Sequence, residues 1–199
     1  MKRATARAGR QARQRGAFAV EAALVLPILL GVGLLGADIQ RIHTERIRLE
    51  NTAGTLAVNL AAQRELTGAG LDALAKVAMQ GHEADQQIYV LNVQVDGSVS
   101  WGLIRGGAEN LCEAPAVGGI YEGTLPDDSR RDDTTAAPGM VMVRSCRRTD
   151  EVALFSGLGI PDVLKTDAIF PSSHRTIKLD TELQGESDAN GLAAGASDT

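Results

Sequence analysis

The side chains able to do catalytic or metal chemistry are few, and their spacing keeps them apart. The three histidines, His43, His82 and His174, lie far from one another, and none has a second ligand at metal-binding spacing. His43 falls on the polar face of a long helical pattern, and each of the three reads as a surface residue. Cys112 and Cys146 are too distant for a CxxC redox or zinc element, and without a second pair they make no four-ligand site. No GxSxG, HExxH, P-loop or GxGxxG motif occurs. The run from Asp127 to Asp133, DDSRRDD, lacks the spaced oxygen ligands, turn glycine and closing glutamate of a calcium loop, and reads as a solvated charge run. The chain is therefore not read as an enzyme, and no cofactor or metal is expected.

One acid does call for a partner. Ala17–Ala37 is a 21-residue apolar run interrupted only by Glu21 and Pro27. A hydrocarbon core of about 30 Å takes about 20 apolar residues as a helix, so the run is long enough to span. A carboxylate in such a span costs roughly 2.5 kcal/mol or more and is a functional candidate by default. The bland reading of Glu21 is an acid near the interface that snorkels to water.

The elements around it fix an orientation. Residues 1–16 carry six cations, Lys2, Arg3, Arg7, Arg10, Arg13 and Arg15, and no acid, while the whole chain is at −5, which leaves −11 for residues 17–199. Beside a spanning run, the positive-inside rule accounts for the basic leader better than nucleic-acid binding does. It places the N-terminus in the cytoplasm and everything after Ala37 across the membrane. The acidic body argues against a nucleic-acid partner. The leader is expected to be disordered or to lie on anionic lipid. It is no ordinary secretory signal, because the apolar run is too long and Leu35 spoils the nearest cleavage pattern.

Helical periodicity continues past the span, and one helix is expected from Ala17 to about Gln63, about 70 Å long. Ile39, Ile42, Leu49, Ala53, Leu56 and Leu60 form its apolar stripe, interrupted at Arg46. Gly54 is a place where it could bend. The stripe packs on the chain's own domain, on other subunits, or on each along different lengths.

The remainder reads as a modest α+β domain with an antiparallel sheet. Leu71 to Met79 gives a short amphipathic helix with Gly81 as its C-cap. Ile88–Val95 and Ser98–Ile104 read as strands joined at Asp96-Gly97, a pair that tight hairpin turns prefer. Trp101 is placed in the core of that hairpin. Met140–Arg144 and Thr176–Leu183 read as two further strands, Pro126–Gly139 as a solvated loop, and Leu154–Phe170 as a loop with a helical turn covering a sheet face. The boundaries are a basic leader at 1–16, a span at 17–37, a helical extension at 38–66, an exported α+β domain at 67–183, and a disordered tail at 184–199. In an oxidising compartment, two cysteines more often form a structural disulfide; the other reading of Cys112 and Cys146 is two buried thiols that never meet.

A basic leader ending in glycine, followed by an apolar helix with glutamate as its fifth residue, resembles a type IV prepilin. The string GAFAVEAALVLPILL is similar to the N-terminal region of TadE/TadF-like pseudopilins, the minor pilins of the tight-adherence (Flp) machinery. Their G-x-x-x-V-E-x-A-L-x-x-P pattern falls here on Gly16, Val20, Glu21, Ala23, Leu24 and Pro27. The resemblance covers about residues 13–60, roughly a quarter of the chain. Ordinary type IV pilins and type II secretion pseudopilins usually begin the mature chain with phenylalanine; here phenylalanine is second, which favours the Tad group.

The resemblance implies a bitopic inner-membrane protein of a bacterium, with its C-terminal domain in the periplasm and a link to the pilus after processing. A prepilin peptidase would cut between Gly16 and Ala17. Glu21 would then pair with the new Ala17 amine, of its own chain or of a neighbouring subunit, and set register in a filament. Pro27 either loosens the helix near Ala23 to help it leave the membrane or is a tolerated kink. The implied partners are the peptidase, the other minor pilins and the major pilin, the inner-membrane assembly platform and membrane lipid. The implied role is assembly of a Tad/Flp pilus used in surface adherence and biofilm formation. The alternative is an uncleaved single-pass membrane protein with a periplasmic binding domain.

Overall fold

The computed structural model describes residues 4–126, 138–149 and 161–194, with side chains from residue 18 onward. The long helix α1 runs Ala4–Ala61 without interruption and includes Pro27. It starts earlier than expected, because the leader, expected to be disordered or to lie on anionic lipid, is helical from Ala4. The leader is rich in Ala, Arg and Gln, which are strong helix formers, and it has no proline. Gly54 does not break the helix.

The C-terminal half of α1 lies across one face of a four-stranded antiparallel sheet. The strands are β1 (Glu65–Leu66), β2 (Gln86–Val93), β3 (Val99–Arg105), β4 (Ala116–Val117), β5 (Ile120–Tyr121), β6 (Met140–Arg148), β7 (Val163–Pro171) and β8 (Lys178–Leu179), and the main sheet has the order β3-β2-β6-β7. Every residue of β2 is buried, because alternate side chains enter two cores. Ile88 and Val90 join Trp101, Leu103, Val141 and Val143 beneath Leu56 and Leu60 of α1. Tyr89, Leu91 and Val93 face the other way and meet Val99, Met142 and Leu192 under a cover formed with Ala116 and Tyr121. Each fully buried Leu, Ile or Val contributes about 1.5–3 kcal/mol relative to exposure. Trp101 lies in the core as expected, and its indole N–H donates to the Ile177 carbonyl at 2.9 Å.

The β2–β3 hairpin forms, but its turn has three residues rather than two. Val95-Asp96-Gly97 bridges Gln94 and Ser98, with Gly97 N–H donating to Gln94 O at 3.0 Å. Gly97 takes φ +86°, the left-handed position that closes such a loop. The third strand extends beyond Arg144 to Arg148. The segment read as a loop over Leu154–Phe170 contains an edge strand, β7, paired with all of β6. Its apolar residues are interleaved with Lys165, Thr166 and Asp167, the mixture of a half-exposed strand. Most of the Pro126–Gly139 loop, with its DDSRRDD run, lies outside the described residues.

The largest departure is at the C-terminus. Only Lys178–Leu179 of the strand expected at Thr176–Leu183 is extended, and it pairs in parallel with β1. Helix α3 (Thr181–Ala189) follows, inside the segment expected to be a strand and then a disordered tail. Asp180 explains the switch. Its carboxylate accepts Leu183 N–H at 2.9 Å to cap α3. It also accepts Gly68 N–H at 2.9 Å, at the start of α2 (Gly68–Met79). Helix α3 then shields the free edge of β3. Ser187 Oγ accepts Gly102 N–H at 3.1 Å, and Asn190 donates to Gly102 O at 3.2 Å. A Cβ on Gly102 would lie 2.7 Å from Leu192 Cβ, so the close approach requires glycine. Helix α2 ends with Gln80 in the left-handed conformation, one residue before the Gly81 expected as its cap.

The cap carries a pH prediction. Hydrogen bonds from the backbone of Leu183, then of Gly68, hold the Asp180 carboxyl below its ordinary value. A depressed pKa contributes stability that is present above the unfolded value and is lost as pH falls through the folded one. Acid titration followed by circular dichroism is expected to show wild type losing stability over that range. Asp180→Asn is expected to lack this component; an unchanged acid profile in the variant would assign the pH dependence elsewhere.

Candidate membrane helix and domain-docking site

The apolar half of α1 stands clear of the folded domain. Its most apolar part has a mean hydropathy of 2.3 and is 0% buried, long and apolar enough to cross a membrane. Phe18, Leu24, Ile28, Leu29 and Leu30 are all exposed by 60% or more. Nothing among the described residues lies within 4 Å of a Cβ built on Gly31, Gly33 or Gly36. Glu21 is exposed on this bare stretch, and no ion-pair partner reaches it among the described side chains. Residues 16 and 17 lie on the same continuous helix, which puts Ala17 one turn before Glu21. Pro27 leaves the Ala23 carbonyl without its helical N–H donor.

Docking begins where the apolar run ends. The covered positions on α1 are Asp38, Ile42, Glu45, Leu49, Thr52, Ala53, Gly54, Leu56, Ala57, Leu60 and Ala61, all buried or half-buried. This 3–4 spacing is one face of a helix laid on a partner. Ile42, Leu49, Ala53, Leu56 and Leu60 were on the expected stripe. Ile39 was also expected there, but it is 62% exposed. The polar interruption is Glu45 rather than Arg46. Arg46 points to solvent and pairs with Glu50 at 3.0 Å.

Glu45 organises a charged cluster that periodicity alone did not reveal. One carboxylate oxygen meets Arg48 at 2.9 Å and the other meets Arg147, near the end of β6. The Arg147 side chain is 9% exposed and its Nη2 lies 3.0 Å from His82 Nδ1. His82, read as a surface residue, is thus half-buried and in contact with the cluster. The available signal was the stripe itself, since Asp38 and Glu45 are charged residues at buried spacing. Ala37, Gln40, Arg41, Thr44, Glu45, Arg48 and Arg147 line a groove of about 520 Å³ between α1 and the sheet end.

On the opposite sheet face, Cys112 and Cys146 form a disulfide, with Cα atoms 6.1 Å apart. Side chains from the sheet hold the loop in place for it. Gln87 Oε1 accepts Leu111 N–H at 2.8 Å and Cys112 N–H at 3.2 Å. Arg144 donates to Glu113 O at 3.0 Å and clasps both Asp167 oxygens at 2.8 Å. Hydrogen bonding to Asp167 holds the Arg144 guanidinium above its ordinary pKa. Burial likewise raises the Tyr89 phenol, so it stays protonated and donates to Cys112 O at 3.4 Å. Closing 34 residues of chain contributes about 3–4 kcal/mol in the chain-entropy picture.

No group of histidine, cysteine and acidic side chains that would hold a metal occurs among the described residues. Scans of the chain against protein-family models, curated proteins and solved structures find no match.

Proposed function

We propose that this chain is a bitopic pseudopilin-type assembly protein, processed after Gly16 and used to build a Tad/Flp-type pilus for surface adherence. One observation carries the reading. Glu21 sits on an exposed apolar helix, four residues after Ala17 and with no ion-pair partner among the described side chains. An acid so placed in lipid is costly until a cation joins it. A cut at Gly16–Ala17 would supply one, the new Ala17 amine, one turn away on the same helix or on a neighbouring subunit.

The rest of the architecture supports the reading. The apolar half of α1 packs on nothing among the described residues, while the other half is anchored to a sheet domain. The basic leader sets the N-terminus on the cytoplasmic side, where the peptidase would act. The sheet domain then lies outside the inner membrane, where a disulfide is maintained. Its partners are the peptidase, other pilins and the assembly platform.

Cleavage is the direct test. N-terminal sequencing of the protein from cells carrying the assembly machinery is expected to begin at Ala17. Gly16→Glu is expected to keep the leader attached. An intact Met1 or Lys2 in wild-type protein would instead leave an uncleaved single-pass protein.

A further inference from the structure

We infer that the groove between α1 and the end of β6 binds the phosphate headgroup of an anionic glycerophospholipid, in the leaflet next to the folded domain. The inference rests on reading Ala17–Ala37 as the membrane span.

Depth comes first. A bilayer core of about 30 Å within a total of about 40–45 Å leaves roughly 5–7 Å of headgroup region on each side. With Ala37 at the core boundary, Gln40 and Arg41 lie about 4.5–6 Å further along the helix. Both line the groove, as does Ala37 itself. Arg48 is about 16 Å along the helix from Ala37, above the headgroup layer, and its guanidinium leans back only as far as Glu45, so it adds to the attraction from above. The groove thus begins at phosphate depth.

Charge comes second. Among the described residues, the lining holds Arg41, Arg48 and Arg147 against Glu45. Glu45 is shared between Arg48 and Arg147, so those three groups together keep one positive charge. Arg41 is exposed and has no carboxylate partner among the described residues. Even counting neighbouring Asp38 as an anion, the set remains positive. Guanidinium groups donate in a planar fork that suits phosphate oxygens. Gln40 adds a side-chain amide donor to the same wall, while the Thr44 hydroxyl donates to the Gln40 carbonyl at 2.9 Å. The acidic balance of the chain after residue 16 makes this basic groove a local exception.

The test uses the full-length chain extracted in mild detergent and offered phosphatidylglycerol and phosphatidylcholine in equal amounts, with retained lipid read by native mass spectrometry. Wild type is expected to retain phosphatidylglycerol over phosphatidylcholine by roughly tenfold, given about 1 kcal/mol per basic residue near an anionic surface. Arg41→Gln combined with Arg48→Gln is expected to bring the ratio near one. Both side chains are on the outer surface of α1, and Trp101 fluorescence checks that the domain stays folded. Arg46→Gln, outside the groove, is expected to change nothing. Equal retention of the two lipids by wild type, or the same loss in Arg46→Gln, would overturn the site. Displacement of phosphatidylglycerol by excess inorganic phosphate would overturn the lipid assignment in favour of a soluble anion. Carbonate washing of membranes separates the two levels. A chain that washes off refutes the span and this inference with it, whereas a resistant chain with no lipid preference refutes the groove alone.

Discussion

Glu21→Ala is expected to insert into the membrane at least as well as wild type and to be missing from sheared surface filaments. The two halves of that result have opposite signs for one physical reason. Insertion improves because removing an acid from an apolar span relieves roughly 2.5 kcal/mol or more. Assembly fails because the proposed cut after Gly16 leaves a new amine on Ala17. In a filament core that amine would be buried without an anion, and removing one partner of a buried pair costs about 3–5 kcal/mol. At 1.4 kcal/mol per factor of ten, each subunit contact would weaken by about two to four orders of magnitude. Glu21→Gln tests charge against shape, because it keeps the side-chain length and loses the charge; it is expected to resemble Glu21→Ala. Membrane and sheared-surface fractions probed with the same antibody provide the measurement. Normal surface incorporation of Glu21→Ala would remove charge pairing as the assembly device.

The parts of the molecule legible in the sequence were those set by local chemistry. The apolar run, the continuing helix, the β2–β3 hairpin and the cysteine pair each follow from residues close together in sequence or from a single pairing choice. The parts that were not legible depend on distant partners. Thr176–Leu183 alternates like a strand, yet Asp180 caps α3 and also accepts the Gly68 N–H at the start of α2, a role that needs Gly68 brought alongside. The expected C-terminal tail became ordered because Gly102 leaves room for Leu192, and Ser187 and Asn190 satisfy a strand edge. Neither contact has a local signature, since small polar residues near a terminus have the composition of disorder. The β7 strand was missed because glycines and Pro161 nearby outweighed a run whose ladder is supplied by β6. In the docking site the stripe holds from Ile42 onward but not at Ile39, and its polar interruption, expected at Arg46, lies one residue earlier at Glu45. About 100° of rotation per residue turns that error into the difference between a solvent charge and a buried anchor.

That buried anchor sets the second large effect. Glu45→Ala is expected to destabilise the folded domain by about 3–5 kcal/mol. The side chains of Glu45 and Arg147 are only 14% and 9% exposed. Truncating the acid leaves the Arg147 guanidinium beside His82 with no carboxylate partner among the described residues. Denaturant unfolding of the full-length chain in micelles, followed by Trp101 fluorescence, reads the loss directly, because Trp101 sits in the core beneath α1. Glu50→Ala is the contrasting case. Its pair with Arg46 is 49% and 67% exposed, and surface pairs contribute about 0–1 kcal/mol. Replacing both Glu45 and Arg147 with methionine should recover most of the stability, since a buried ion pair exchanged for packed apolar side chains is often neutral or better. A loss below about 0.5 kcal/mol in Glu45→Ala would mean that water reaches the cluster and that the apolar stripe alone docks the helix. The expected large loss would make the Glu45–Arg147 pair the clamp that holds the sheet domain to α1 next to its apolar half.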